Sequence, residues 1–391
     1  MLSVKASIIH TGRKVFENGC LNWQDGTIAG ISAPPRGDVA GRYPVVTPAF
    51  IDPHCHIGME RAGEPSAEGE ANEKMESIVV LADALDSVQM DDDSFRESIE
   101  AGVLYSCVVP GSGNILGGRS AVLRNYAATT SDALVGRAGI KAAVGYNPMS
   151  TREWKGKRPY TRMGAMALLR EKLHEVKDKI LQGKDRKKNG EKEFSREDEV
   201  LRDVLLGEEI LRVHVHKSDD MESVLRLTDE FRETDPRFRM RLSMEHAGDV
   251  HSPEIYRKLK ERSIPVVYGP MDSFPYKVEL KHESWRNLKH LLDSGVEYGL
   301  MTDHPVILQR MLFHQLRWFL RCGLDKDRAI QVVTRQNARI LGLDPFLGTL
   351  EEGKWASFVC WNGDPFDLSS YPVAVYGEGR LLFSEDRSAG A

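Results

Sequence analysis

Residues 45–58 read Val-Val-Thr-Pro-Ala-Phe-Ile-Asp-Pro-His-Cys-His-Ile-Gly, an apolar run that ends in His54-Cys55-His56. On a strand, alternate side chains share a face, so His54 and His56 can present imidazoles to one point while Cys55 turns away. Two neutral imidazoles on one side make half of a zinc site. The pair alone also fits two hydrogen-bonded core histidines, so the rest of the chain has to supply the other ligands.

It offers them in similar places. Residues 210–216, Ile-Leu-Arg-Val-His-Val-His, and residues 240–246, Met-Arg-Leu-Ser-Met-Glu-His, are further apolar runs ending in histidine. Residues 297–304, Glu-Tyr-Gly-Leu-Met-Thr-Asp-His, end in a carboxylate. Each run precedes a helical stretch, so the strands recur at βα spacing with polar residues at their carboxyl ends. In a (β/α)8 barrel those ends converge on the active site. Four strand ends carrying His or Asp are much harder to obtain by chance than one. Further buried strands are expected at 102–110, 139–145 and 264–268, with an eighth around Ala121–Arg124.

The chain has 391 residues, 41% of them apolar, enough to bury a large core. A net charge of −5 and a pI near 6.2 leave no basic footprint for nucleic acid, so a small-molecule substrate is the expected partner. Cysteines stand at 20, 55, 107, 322 and 360, an odd number without a CxxC pair, which argues against a disulfide framework. The N-terminal residues lack a signal-peptide core and no apolar run is long enough for a membrane. A cytoplasmic enzyme is expected, with a homo-oligomer allowed for.

Residues 1–47 alternate apolar and polar positions in short pieces broken by Asn18-Gly19, Asp25-Gly26 and Pro34-Pro35, and the same texture returns at 348–384. Neither piece can bury a face alone, so Val4, Ile8 and Ile9 should need the C-terminal strands to cover them. Residues 165–206 read as a charged helical hairpin, with a break at Gly183 and a turn at Asn189-Gly190.

The Pro-Ala-Phe-Ile-Asp-Pro-His-Cys-His opening, His214, His246, Thr302-Asp-His-Pro305 and the late Asn337-Ala-Arg-Ile-Leu-Gly-Leu with Gly348-Thr-Leu-Glu-Glu-Gly-Lys resemble the amidohydrolase superfamily. Pro110-Gly-Ser-Gly-Asn-Ile-Leu-Gly-Gly-Arg119 and His214-Val-His-Lys-Ser-Asp-Asp220 are similar to the branch grouped with imidazolonepropionase. The resemblance implies an α/β fold, a (β/α)8 TIM barrel over 48–347, and a small β-sandwich built from 1–47 and 348–391. It also implies a divalent metal, zinc first, with iron, nickel or manganese as alternatives, held by His54, His56, His214, His246 and Asp303. His214 and His216 point the same way on a strand; position in the family favours His214 as ligand, leaving His216 to contact substrate. Relatives often read Gly-Glu-Asn-Pro where this chain has Gly145-Tyr146-Asn147-Pro148, and that Glu could bridge two metals. A phenol of pKa about 10 is a poor bridging anion. Lys141 could substitute if carbamylated, but its alternation relative to Tyr146 turns it to the opposite face, so one metal per chain is expected.

Such a metal activates water and polarises a carbonyl. Asp303 is the strand-end acid placed to take the proton and pass it to a leaving nitrogen, with His246 beside it, although Asp303 also fits a helix N-cap. Substrate contacts are expected from His216, His304, Arg119 and Arg61. Asn72 and Glu73 share the loop of Arg61, and Gly111, Gly113, Gly117 and Gly118 surround Asn114 and Arg119 where they could let a ligand approach the backbone. Asp219 or Asp220 either supports a ligand histidine or caps the helix after His216. The expected reaction is hydrolysis of a C–N bond in a cyclic or small amide. Superfamily deaminases usually carry a proton-shuttling Glu soon after the fifth-strand His, where this chain has Lys217-Ser-Asp-Asp220. A heterocycle deaminase, a dipeptidase and an inactive ligand-binding homologue are the rivals.

Overall fold

The structure is a computed structural model that describes residues 1–149, 156–183 and 194–385. Four strands open the chain: β1 (Leu2–His10), β2 (Val15–Gln24), β3 (Thr27–Ser32) and β4 (Asp38–Pro48). Eight more follow: β5 (Phe50–Cys55), β6 (Val103–Val108), β7 (Leu116–Arg124), β8 (Leu134–Ala143), β9 (Ile210–Val215), β10 (Arg241–His246), β11 (Val266–Tyr268) and β12 (Tyr298–Leu300). The chain ends in β13 (Phe358–Trp361), β14 (Pro372–Gly377) and β15 (Arg380–Ser384).

Strands β5 to β12 pair in sequence order as one eight-stranded, nearly closed barrel. The inner strands β5, β6 and β9 to β11 are buried along almost their whole length, which explains why they read as continuous apolar runs. The seam between β12 and β5 is stitched by backbone and side chain. Asp303 N donates to His54 O (3.1 Å) and His56 N to His304 O (2.9 Å). The Asn337 amide donates to Ile51 O (2.7 Å) and Leu300 O (2.9 Å), and its carbonyl accepts from Leu300 N (3.1 Å). A Cβ on Gly299 would lie 2.1 Å from that carbonyl oxygen, so this strand position needs glycine.

One strand departs from strict βα alternation. β7 runs antiparallel to both β6 and β8. Its connections, 109–115 and 125–133, are shorter than the dozen or so residues a parallel crossover requires. The strand also starts at Leu116 rather than near Ala121, so Gly117, Gly118 and Arg119 belong to it and not to a loop.

The terminal strands form one seven-stranded sheet, in the order β15-β14-β13-β4-β1-β2-β3. It folds over on itself: Trp23 of β2 meets Phe358 of β13 and Tyr376 of β14 at ring distances of 5.2 and 5.4 Å, although β4 and β1 separate these strands in the sheet. Val4 and Ile9 are buried in that cluster, but Ile8 is 37% exposed. The expectation that Ile8 is covered is therefore corrected: a strict period of two would group Ile8 with Val4 and Ala6, and the burial along β1 does not follow it. Trp361 packs on Phe50 and Phe313 and joins this sheet to the barrel.

The charged region folds as two helices, Arg162–Leu181 and Arg196–Leu206, the second opened by a Ser195/Asp198 capping box. The turn expected at Asn189-Gly190 lies outside the described residues. All five cysteines are free thiols. Among the described residues no helix is long and apolar enough to cross a membrane.

Candidate metal centre

The carboxyl ends of β5, β8, β9, β10 and β12 bring His54, His56, Lys141, His214, His216, His246 and Asp303 together, all of them buried. Asp303 lies at the hub on the seam side. Its Oδ1 is 3.4 Å from His54 Nε2 and 3.2 Å from His56 Nε2, and its Oδ2 is 3.9 Å from His246 Nδ1. Two sets of donor atoms each lie within 4.8 Å of one another: His54, His246 and Asp303, and His214, His216 and His246. His246 belongs to both.

The backbone helps build this cluster. Glu245 pairs in register with His214 and shares a face with Ser243, so alternation alone would turn His246 outward. A φ of +80° at His246 brings its ring to 4.0 Å from that of His214 and 4.9 Å from that of His54. Asp303 also has left-handed backbone, at φ +51°, and is not a helix cap. Strain of this kind is concentrated at functional sites.

The supporting hydrogen bonds fix which nitrogens are available. His54 Nδ1 contacts the Glu245 carboxylate, which is itself paired with buried Arg212 at 2.8 Å. His56 Nδ1 lies 2.7 Å from the carbonyl oxygen of Val109. Both partners are acceptors, so both Nδ1 atoms carry the proton and both Nε2 lone pairs face Asp303. Acceptors directed at one another call for positive charge between them, and a divalent cation supplies it without protonating the rings.

The second set is barer. Burial, with the charge of Lys277, pushes His214 and His216 far down, and burial with His214 does the same to His246. These imidazoles are neutral and keep a lone pair. His214 Nδ1 meets Ser112 Oγ at 2.8 Å, while His214 Nε2 and both ring nitrogens of His216 and His246 have no hydrogen-bond partner among the described residues. Unpartnered buried nitrogens beside a carboxylate are what a divalent cation of the zinc type binds.

Lys141 corrects an expectation. Its Nζ is buried 3.3 Å from His54 Nε2, on the ligand side of β8 and not turned away. The alternation had been counted from Tyr146, which lies beyond the end of β8 at Ala143, where a period of two no longer holds. Burial pulls the Lys141 amine down to about 8 against the opposing pull of Glu245 and Asp303.

Other expected residues fall elsewhere. Arg61 is occupied by Glu64 and Glu70 within its own loop. Arg119 is exposed, paired across β7 with Ile140 and not with inward Lys141. Asn72 Oδ1 accepts from Gly113 N (2.7 Å), and a Cβ on Gly111 would meet the Asn72 amide, so the close approach these glycines allow is to Asn72. Asp220 neither caps its helix nor supports a histidine: it pairs with Arg162 at 2.8 Å. His304 is buried behind His56, its Nδ1 accepting from Gln309 N at 3.1 Å, and burial lowers it to about 4.

Two carboxylates were not anticipated. Glu245 could have been found from its place in the inward register of β10. Glu279 sits in the irregular segment after β11, where no periodicity points to it. It is buried 3.8 Å from His214 Nε2, 3.9 Å from His216 Nε2 and 3.0 Å from Lys277 Nζ, and accepts from Tyr146 N at 2.9 Å.

Residues 161–381 match the model of the amidohydrolase family, and the chain belongs to that family. It is 25% identical over 401 residues to the amidohydrolase tasK of Hapsidospora irregularis, covering 96% of this chain and 40% of that protein's length. The crystal structure of an amidohydrolase from Thermotoga maritima MSB8 superposes with a TM-score of 0.88 at 29% identity, over 98% of this chain and 100% of that one. A Xaa-Pro dipeptidase with bound methionine shares the fold, at a TM-score of 0.58 and 16% identity over 97% and 99% of the two chains. The chain is thus a member of the amidohydrolase family with candidate His/Asp metal-binding groups at the carboxyl ends of its barrel strands.

Proposed function

We propose that the chain is a divalent-metal-dependent hydrolase that cleaves a C–N bond in a cyclic or small amide, with Asp303 moving the proton. The observation that carries this reading is the pair of Nε2 lone pairs on His54 and His56 facing the Asp303 carboxylate at 3.4 and 3.2 Å. His54, His56, His246 and Asp303 would hold one cation, and His214, His216 and His246 a second. Imidazole nitrogens with one carboxylate suit zinc.

Lys141 removes the ground for expecting a single cation. Its amine lies 3.3 Å from His54 Nε2, a member of the first donor group. Addition of carbon dioxide to that amine, with loss of a proton, would give the anionic bridge that Tyr146 cannot provide. A bridge matters because two dications repel at close range.

When bound, a divalent cation supplies Lewis acidity, activating water and polarising a carbonyl. Asp303, a carboxylate at neutral pH, can accept a proton and deliver it to the leaving nitrogen. The resemblance of the Pro110–Arg119 and His214–Asp220 motifs to the imidazolonepropionase branch is the reason for testing cyclic amides first. Asp303→Asn should lower kcat by at least ~10² while keeping most of the metal, because the amide retains an oxygen ligand but accepts no proton. Near wild-type turnover with metal bound would remove Asp303 from the mechanism.

Glu279 supports a second reading, deamination of a heterocycle, since it supplies a buried carboxylate beside His214 and His216. Incubation with cyclic amides, N-acyl amino acids, dipeptides and aminoheterocycles separates the two. Ammonia release without a new carboxylate selects deamination, and a new carboxylate selects amide hydrolysis.

A further inference from the structure

Asp249, His251 and His282 form a third group of ligand-type side chains, with donor atoms within 4.8 Å of one another. It lies outside the barrel centre, on the loop after β10 and the irregular segment after β11. Asp249 is buried at 2% exposure, and both histidines are exposed. Among the described residues the Asp249 carboxylate is not paired with a lysine or arginine: its partners are the backbone N and Nδ1 of His282, the latter at 3.3 Å.

The hydrogen bonds leave lone pairs free. His251 Nδ1 lies 2.9 Å from the Asp249 carbonyl oxygen and carries the proton, so Nε2 is a donor atom for a metal. The His251 and His282 rings are 4.4 Å apart, close enough for both to address one ion after small side-chain rotations. Two imidazoles and a carboxylate are a zinc-type donor set, with a fourth position left for water.

We propose that Asp249, His251 and His282 form a separate, exchangeable divalent-cation site that ties the β10 loop to the segment carrying Glu279. Asp249 N donates to His216 O at 3.2 Å, and Glu279 lies three residues before His282 against His214 and His216. A cation held there fastens both flanks of the β9/β10 side of the barrel mouth.

The test is a zinc soak of crystals of the full chain, with anomalous difference maps recorded at the zinc edge. A peak in contact with Asp249, His251 and His282, distinct from any density at the barrel centre, is expected. Its absence at saturating zinc overturns the proposal, whatever the centre contains. In solution, His251→Gln/His282→Gln should bind one equivalent of added zinc fewer than wild type, and zinc should slow proteolysis of 272–284 in wild type only. Equal zinc uptake by the folded double variant would also overturn it.

Discussion

The two sides of the barrel mouth are built differently. On the seam side, His54 and His56 each have Nδ1 occupied by a fixed acceptor, and Asp303 is anchored through its backbone to His54. On the β9/β10 side, His216 and His246 have no hydrogen-bond partner at either ring nitrogen among the described residues. The seam side is oriented by the protein before a cation arrives, whereas the other side is held by packing and completed by what it binds. Outer hydrogen bonds orient ligands and raise their basicity, so the seam side should bind more tightly.

His246 is common to both sides, and its replacement sharpens the comparison most. His246→Asn should leave less than one tightly bound equivalent and lower activity by more than the ~10² expected for Asp303→Asn. Retention of full metal content would show that the two donor groups do not share a ligand. Removing support from the seam side alone should cost less. Glu245→Gln is expected to weaken metal affinity or activity by about 10–100-fold. It should also lower the melting temperature, because Arg212 loses its buried charge partner, a change that costs about 3–5 kcal/mol in other buried pairs. Unchanged metal affinity in a stable variant would mean that His54 needs no anchoring. The smallest effect belongs to Ser112→Ala, which removes the side-chain bond from Ser112 to His214 and should change stability by about 1 kcal/mol. Metal loss from the seam side in this variant would break the distinction.

How much of this was legible in sequence follows from how local each signal is. His54, His56, His214 and His216 could be read because alternation on a strand is a property of neighbouring residues. His246 was found as a strand end, but its ring reaches the site through a left-handed backbone that alternation does not contain. Lys141 was turned the wrong way because its reference residue, Tyr146, lies beyond the strand. The reversed direction of β7 was visible only in the shortness of its connections. Glu279 and the Asp249–His251–His282 group lie on irregular segments, where proximity is set by tertiary packing and not by spacing. Arg61 and Arg119 failed for a related reason: position near a strand end does not say which way a long side chain points.

The central claim is that the buried His/Asp/Lys cluster is a paired metal centre. Its most direct test is metal analysis of desalted protein together with its intact mass. The account predicts two tightly held divalent equivalents per chain and a mass increase of one carbon dioxide that is lost in Lys141→Ala. One equivalent with unmodified Lys141 would contradict the pairing, and an active protein without divalent metal would contradict the whole account.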